Sequence, residues 1–444
     1  MQVNENRKKL ISMLIIFFLL SFNMSLLWNL KDSLIITTAG AEIIPFIKVW
    51  VLLPATLILT FLYTFLSNRL SQEKVFYLLT SFFLIFYALF ITLLYPYRDQ
   101  LHPEDSAIYL ENLLPTGFKG LISVYHYWTF TLFYVMSELW STILIYLLFW
   151  GFANQITQIN EAKRSYSLLS IAYNITPIAA GGISLAIAEE TWEPTFNLLM
   201  IVIIVSGLLT MVTFRWMHKN VPFTRITFDK KISLTESFKC ITKSKALICI
   251  AGIVLGYNLV INLTEIVWKD QLKNLYPHTL DYNNYISYLQ IAQGVVALFI
   301  SLILSKLITQ HGWTKTALIT PILMLLLCLS FFGTLFLQFP LTLVVIMGAI
   351  HNFMSKASKY TLFDCTKEMA FIPFSPETKH KGKIAIDGVG SRLGKSGGSF
   401  IHQSLLILLA SIGASAPYVA GIVLIVLLIW IASVYSLGKL IKVA

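Results

Sequence analysis

Four charged residues lie in stretches of the sequence that are otherwise apolar enough to cross a membrane. Glu138 and Glu265 are surrounded by apolar and aromatic residues, and Lys31 and Lys48 lie in two further apolar stretches. A charge at the centre of a bilayer costs about 2.5–3.5 kcal/mol even on insertion scales, so each needs a water-filled cavity or a partner of opposite charge. Interior charges of both signs in one membrane protein indicate a transporter, because such residues mark the path of a charged substrate.

Lysines in a central cavity favour an anion as the substrate. A lysine presents a point charge with three donors, which suits a phosphate group. In the empty protein Glu138 and Glu265 would neutralise these lysines, and a substrate phosphate would then displace the carboxylates. An alternative is that Lys31 and Lys48 only reach the outer membrane interface. Lys269 is predicted to be an interface anchor at a helix end.

The composition is that of a polytopic membrane protein. Of the 444 residues, 57% are hydrophobic and only 12% charged, against roughly 25% charged in soluble domains. The mean hydropathy is +0.73. Four cysteines without paired spacing predict neither a disulfide framework nor a zinc site, and we expect no metal and no cofactor. The apolar stretch after Arg7 lacks a small-residue cleavage pattern, so it is predicted to be a membrane helix and not a signal peptide.

Apolar stretches of about 20 residues predict twelve spans. They lie near 10–31, 44–66, 75–95, 122–152, 166–188, 194–217, 246–268, 286–308, 316–337, 339–358, 393–412 and 416–438. With the N-terminus inside, most of the 33 basic residues fall in cytoplasmic loops, as the positive-inside rule requires. This also places the C-terminus in the cytoplasm. The net charge of +11 is therefore explained by topology, and we expect no nucleic-acid partner.

A basic, polar stretch at 218–245 divides the chain into halves at 1–217 and 246–444. Asn29–Asp32 at the predicted end of the first span is echoed by Asn262–Glu265 in the seventh. The echo fits parallel repeats related by an axis along the membrane normal. The predicted fold is all-α, with twelve transmembrane helices in two six-helix halves of major-facilitator type. Spans one, four, seven and ten would line the cavity.

The glycine-rich segment 381–398 is not a P-loop, because Val389 stands six places before Lys395 where the motif needs glycine. Two interpretations stay open. The segment could present backbone N–H donors to an anion at a helix start, with Lys395 aimed at the cavity. Alternatively, Gly397 and Gly398 could serve helix packing alone.

Several segments follow one another, in order, as in a known family. They are 31–48, 128–140, 148–155, 256–269, 359–364, 367–370 and 382–398. Together they resemble the ATP/ADP translocase family, the nucleotide transporters of plastids and of intracellular bacteria such as the rickettsial and chlamydial groups. The resemblance implies a major-facilitator-like fold and a substrate site that includes Lys48, Glu138, Glu265 and Lys395. It also implies that Asn174 lies near the adenine or ribose.

The resemblance implies exchange of ATP for ADP by alternating access, across the inner membrane of an intracellular bacterium. Departures leave the nucleotide open: Ser170, Ala172 and Tyr173 stand where the exchangers have small residues, and Ser391–Arg392 replaces a different pair. Proton-coupled import of GTP, UTP or CTP, with Glu138 or Glu265 carrying the proton, and exchange of NAD for ADP are alternatives within the family.

Two other classes of protein fit less well. An enzyme acting on phosphates would need a second carboxylate paired with Asp364 or Asp387, and the spacing offers none. A receptor or scaffold would not explain interior charges of both signs. We therefore expect a transporter that works as a monomer, with nucleotides and the lipid bilayer as its partners.

Overall fold

The computed structural model describes residues 2–157, 159–221, 240–242, 244–375, 378, 382–383, 386 and 390–440. These residues form helices joined by turns, with no strand among them. A helix satisfies its backbone hydrogen bonds within one segment, which is what the interior of a bilayer demands. The predicted all-α fold class is confirmed.

Six long helices form what we call the N-terminal half. They are α1 (Gln2–Ala39), α2 (Ile43–Arg69), α3 (Gln72–Leu94), α4 (Trp128–Asn154), α5 (Ile159–Ala186) and α6 (Trp192–Asn220). Three short helices, Arg98–Leu101, Glu104–Leu113 and Lys119–His126, connect α3 to α4.

The C-terminal half contains α7 (Lys245–Leu275), α8 (279–311), α9 (Gly312–Phe336), α10 (Leu341–Ala370), α11 (Ser391–Leu409) and α12 (Ile412–Leu440). Gly312, with φ of 73°, separates α8 from α9. Within the residues that the structure describes, ten of these helices, all but α8 and α11, are long and apolar enough to cross a membrane, so the predicted count of twelve spans is supported for ten. Most of the predicted linker 218–245 lies outside the described residues, so the division of the chain there remains a prediction.

The helix ends differ from the prediction at the places that matter for the site. Helix α1 continues to Ala39 because Leu34–Ile36 extend its apolar surface, and it stops at Gly40, whose φ is +93°. Helix α7 likewise runs on to Leu275. Lys269 therefore lies inside α7 and is buried, and its prediction as an interface anchor is wrong.

Three other helix boundaries also differ from the prediction. Helix α4 begins at Trp128 and not near 122, because the chain breaks at Tyr127 after the short helix Lys119–His126. Helix α8 begins at 279 and not near 286, and α10 continues past 358 to Ala370. Polar residues at these helix ends, such as Asp281 and Glu368, hid the boundaries because they interrupt the apolar stretches.

An indole hydrogen bond joins two helices within each half. Trp140 of α4 donates its Nε1–H to the carbonyl oxygen of Leu20 in α1, at 3.0 Å. In the other half, Trp268 of α7 donates to the carbonyl oxygen of Val345 in α10, at 3.1 Å. The helix pairs α1–α4 and α7–α10 are thus fixed next to the charged residues that they carry.

The two halves meet along a ladder of polar side chains. Helix α1 contributes the backbone carbonyl oxygen of Ser25 and the side chains of Asn29, Ser33 and Thr37, which are spaced by four residues and so lie on one helix face. Their partners on α8 are Gln290, Ser287, Asn283 and Thr279, with contacts of 2.7 to 3.4 Å. Side-chain hydrogen bonds of this kind hold helices together in lipid, where the hydrophobic effect cannot.

Helix α5 packs against α8 next to this ladder. Ser184 accepts hydrogen bonds from Asn283 and Ser287, both at 3.0 Å. A Cβ placed on Gly294 of α8 would lie 2.9 Å from the carbonyl oxygen of Asn174 in α5. Only glycine lets the two backbones approach this closely.

Candidate functional site

Six charged side chains form a chain of alternating sign that runs through the interface between the halves. Each neighbouring pair lies within 2.8 to 3.3 Å, measured from ammonium nitrogen to carboxylate oxygen. Three lysines alternate with three carboxylates, so the chain carries no net charge. In order, its members are Glu138, Lys31, Asp32, Lys269, Glu265 and Lys356.

Lys31 anchors the N-terminal part of this charged chain. Its ammonium lies 2.8 Å from Asp32 and 3.0 Å from Glu138. It also lies over the ring of Tyr134, 4.0 Å from the ring centroid, where a cation is attracted by the ring quadrupole. The buried Lys31 is thus held inside the protein, so the alternative in which it reaches the membrane interface is wrong.

Asp32 and Lys269 join the two halves. The Asp32 carboxylate accepts a hydrogen bond from Lys31 on one oxygen and from Lys269 on the other, both at 2.8 Å. Both ends of this α1–α7 contact are buried. Removing one member of a buried ion pair leaves an uncompensated charge, which typically costs about 3–5 kcal/mol.

Glu265 has two lysine partners in the C-terminal half. Lys269, one helical turn further along α7, lies at 3.3 Å, and Lys356 of α10 lies at 3.2 Å. The two lysines differ in exposure, because the Lys269 side chain is 5% exposed and that of Lys356 is 29% exposed. Lys356 is therefore partly accessible, whereas Lys269 is not.

Two further lysines add positive charge next to this neutral chain. Lys48 of α2 interacts electrostatically with both Glu265 and Glu138, and Lys395 of α11 also interacts with both carboxylates. Neither ammonium has a carboxylate within 4 Å in the part of the chain that the structure describes. Lys48 is half-buried and Lys395 is exposed. The site as a whole is cationic.

Widened, π-helical turns occur in the helices that carry these charges. Lys48 lies in the widened turn Ile47–Leu52 of α2. A second one, Ser141–Phe149, follows Glu138 in α4, and a third, Lys359–Phe363, follows Lys356 in α10. Such turns are uncommon and occur frequently at functional sites. They shift the helix faces next to the charges.

The structure brings together five of the six residues predicted for the site, namely Lys31, Lys48, Glu138, Glu265 and Lys395. Asn174 is buried on α5, where its backbone packs against Gly294 of α8. Among the described residues, no hydrogen bond or ion pair joins Asn174 to the charged chain. A role for Asn174 near a base remains a prediction.

Three members of the charged chain were not predicted as site residues. Asp32 was noted only in the repeat echo. Lys269 and Lys356 lay near the predicted ends of spans, where lysines are ordinary. The spacing of four residues between Glu265 and Lys269 is a signal that could have been used, because it puts both side chains on one helix face.

Two glycines of the segment 381–398, Gly394 and Gly398, pack closely against α7, whereas a Cβ on Gly397 would make only an ordinary contact, 3.8 Å from Leu259. A Cβ on Gly394 would lie 2.8 Å from the Cβ of Asn258, and one on Gly398 would lie 3.2 Å from that of Asn262. Both asparagines belong to α7, so α11 packs closely against α7 beside Lys395. Residues 381, 384–385 and 387–389, including Asp387, lie outside the described residues, and an anion-binding role for them stays a prediction.

The fold is similar to that of solved membrane transporters. The chain resembles a bacterial homologue of the iron transporter ferroportin in its inward-facing state, with a TM-score of 0.63 and 16% identity over 98% of this chain and 99% of that one. It also resembles a D-xylose–proton symporter, with a TM-score of 0.59 and 12% identity over 95% and 97% of the two chains. At these identities the likeness establishes the fold alone.

Sequence comparisons identify the family to which the chain belongs. The model of the TLC ATP/ADP transporter family matches residues 3–441. The chain is 41% identical to ADP,ATP carrier protein 1 of Chlamydia pneumoniae, over 98% of this chain and 91% of the relative. It is 38% identical to ADP,ATP carrier protein 1 of Rickettsia bellii, over 97% and 93%. The chain belongs to the TLC ATP/ADP transporter family, which confirms the resemblance found in the sequence. It is a transporter and not an enzyme.

Proposed function

We propose that this protein exchanges ATP for ADP by alternating access across the inner membrane of an intracellular bacterium. Its relatives in Chlamydia and Rickettsia carry the name of ADP,ATP carriers. The observation that carries the proposal is the cationic site between the halves, where Lys48 and Lys395 have no carboxylate partner within 4 Å among the described residues. Adenine nucleotides bring the compensating charge, since their phosphates are polyanionic.

The site supports a mechanism in which ion-pair partners are exchanged. Lys48 and Lys395 attract the phosphate chain of an arriving nucleotide. A phosphate that approaches Glu138 or Glu265 competes with that carboxylate for its lysine, because phosphate oxygens accept the same charge-assisted hydrogen bonds. Binding thereby loosens a chain of ion pairs that passes through Asp32 and Lys269 and joins the halves. The occupied protein can then change conformation.

The ladder between α1 and α8 supports assignment of this structure to the inward-facing state. With both termini in the cytoplasm, as the positive-inside rule favours, the Ala39 end of α1 and the Thr279 end of α8 face the periplasm. Among the described residues, the hydrogen bonds between the halves involve residues 25–37, 184, 269 and 279–290. They close the periplasmic side, so that the site would be reached from the cytoplasm.

The carboxylate contacts favour exchange over proton-coupled import. Glu138 is held 3.0 Å from Lys31, and Glu265 lies within 3.3 Å of both Lys269 and Lys356. Protonation of either carboxylate would remove one negative charge from a neutral chain that already lies next to Lys48 and Lys395, and would leave an excess of buried positive charge. Both glutamates therefore fit a role as exchangeable partners of lysines better than a role as proton carriers. We propose that the transporter acts as a monomer, because both halves of the site come from one chain.

Competition tests which substrate is moved. Proteoliposomes that hold the protein and internal ADP take up radiolabelled ATP, while an excess of unlabelled ATP, ADP, GTP, UTP, CTP or NAD is present outside. We expect only ATP and ADP to suppress uptake. Suppression by GTP, UTP or CTP as strong as that by ATP, or suppression by NAD alone, would show that the protein transports a different nucleotide. Protein-free liposomes give the background.

A further inference from the structure

The two halves carry related lysine–glutamate pairs with exchanged charges. In the N-terminal half the lysine is on the first helix and the glutamate on the fourth, as Lys31 and Glu138. In the C-terminal half the glutamate is on the first helix and the lysine on the fourth, as Glu265 and Lys356. The pairs have nearly equal lengths, 3.0 and 3.2 Å. Parallel repeats place corresponding helices around one central cavity.

The two lysines of these pairs differ in how firmly they are held. Lys31 is buried and contacts Asp32, Glu138 and the ring of Tyr134. Lys356 lies against a single carboxylate, that of Glu265, among the ion pairs of the described residues. With 29% of its side chain exposed, Lys356 is not enclosed by its neighbours and can change its rotamer without leaving a pocket. Lys31 cannot do so without breaking three contacts.

Departure of Lys356 also leaves no charge uncompensated. Glu265 keeps Lys269 at 3.3 Å, and Lys269 in turn keeps Asp32 at 2.8 Å. The carboxylate that Lys356 would abandon is therefore still neutralised inside the protein. A buried carboxylate that lost its only partner would oppose such a movement strongly.

We propose that Lys356 is a further phosphate-binding residue, which leaves Glu265 and binds the terminal phosphates of the nucleotide. Lys31 is its immobile counterpart and positions Glu138 and Asp32. The inference rests on the proposed function, since it names a residue for the same substrate. Lys48 and Lys356 come from opposite halves, so one phosphate chain held by both would bridge the halves.

Binding by matched variants tests this inference. The unchanged protein, Lys356→Gln and Lys356→Arg are compared for their affinities to ATP, ADP and AMP, measured by competition with labelled ATP. Lys367→Gln is the control, because Lys367 lies on the same helix and pairs with Asp364 and Glu368 at 3.8 and 3.7 Å. The melting temperature of each empty protein is measured in parallel.

We expect Lys356→Gln to weaken ATP binding by roughly ten- to hundredfold, the loss expected for a hydrogen bond between charged groups. AMP binding should change less than threefold, Lys356→Arg should keep most of the affinity, and the empty Lys356→Gln protein should melt near the unchanged one. Equal losses for ATP and AMP, or a lower melting temperature with ATP affinity unchanged, would overturn the inference. Failure of the unchanged protein to bind any nucleotide would instead overturn the proposed function, and this inference with it.

Discussion

Asp32 of α1 and Lys269 of α7 form a buried ion pair of 2.8 Å that joins the two halves of the protein. Asp32 holds Lys31 at the same distance on its other oxygen. The carboxylate therefore lies at the centre of the charged chain, and the lysines on either side of it belong to different halves. Any movement of one half relative to the other at this point must lengthen this contact.

Replacement of Asp32 by Asn should inactivate the transporter and destabilise it. Two buried lysines would lose a shared carboxylate, at a cost of about 3–5 kcal/mol. We expect at least a tenfold lower exchange rate and a lower melting temperature. Asp99→Asn is the control, because the Asp99 side chain is 88% exposed and lies 3.8 Å from Arg98. If Asp32→Asn matched this control in both measurements, the ion pair would have no role.

A disulfide between Thr37 and Thr279 should lock the ladder. Their hydroxyl oxygens are 2.7 Å apart, and a disulfide needs Cβ atoms about 3.5–4.5 Å apart. With the four native cysteines replaced, the Thr37→Cys/Thr279→Cys protein should lose exchange on oxidation and regain it on reduction. Each single cysteine variant should be unaffected by oxidation. Full exchange by the cross-linked protein would show that the ladder does not open during transport.

Replacement of Gly294 by Ala should disturb the contact between α5 and α8. The added Cβ would meet Ile178 and would lie 2.9 Å from the Asn174 carbonyl oxygen, so the helices must separate. We expect a several-fold lower exchange rate. Gly333→Ala is the matched control, since a Cβ there has nothing within 4 Å. The idea of a close α5–α8 contact would fail if the two variants behaved alike.

Lys48→Gln and Lys395→Gln should each weaken ATP binding. Loss of one hydrogen bond between charged groups costs about 1.5–3 kcal/mol, or roughly a factor of ten or more in affinity. Neither lysine stabilises a carboxylate at contact distance within the described residues, so the melting temperature should change little. Equilibrium binding and thermal unfolding check this. Unchanged affinity in both variants would remove the main support for a phosphate site.

Exchange should also be insensitive to an uncoupler. Glu138 and Glu265 both lie within ion-pair distance of lysines, and the proposed exchange moves no proton. Uptake of labelled ATP into vesicles loaded with ADP should therefore proceed at the same rate when an uncoupler collapses an imposed pH gradient. A large drop in rate would favour a proton-coupled mechanism.

The residues that could be predicted from the sequence are those whose charge is costly in the middle of an apolar segment. Glu138 and Glu265 are such residues, and the structure places both in the charged chain. Asp32, Lys269 and Lys356 could not be recognised in this way. They lie near predicted helix ends, and only the extension of α1 to Ala39, of α7 to Leu275 and of α10 to Ala370 puts them inside the protein.

The ion-pair partners of these charged residues could be identified only from the structure. The cost of a buried charge predicts that a partner exists, but the identity of the partner depends on how helices from different parts of the chain pack. The pairing of Asp32 with Lys269 is an example, because 237 residues separate them. Widened turns such as Ile47–Leu52 at Lys48 likewise leave no signature in a hydrophobic pattern.

Exchange itself is tested most directly by counter-substrate dependence. Proteoliposomes are loaded with radiolabelled ADP, and its release is followed after addition of external ATP, with labelled ATP uptake measured in a parallel sample. The proposed exchange mechanism predicts that ADP leaves only when external ATP or ADP is present, and in an amount equal to the ATP taken up. ATP uptake into vesicles without internal nucleotide, at the same rate, would contradict it.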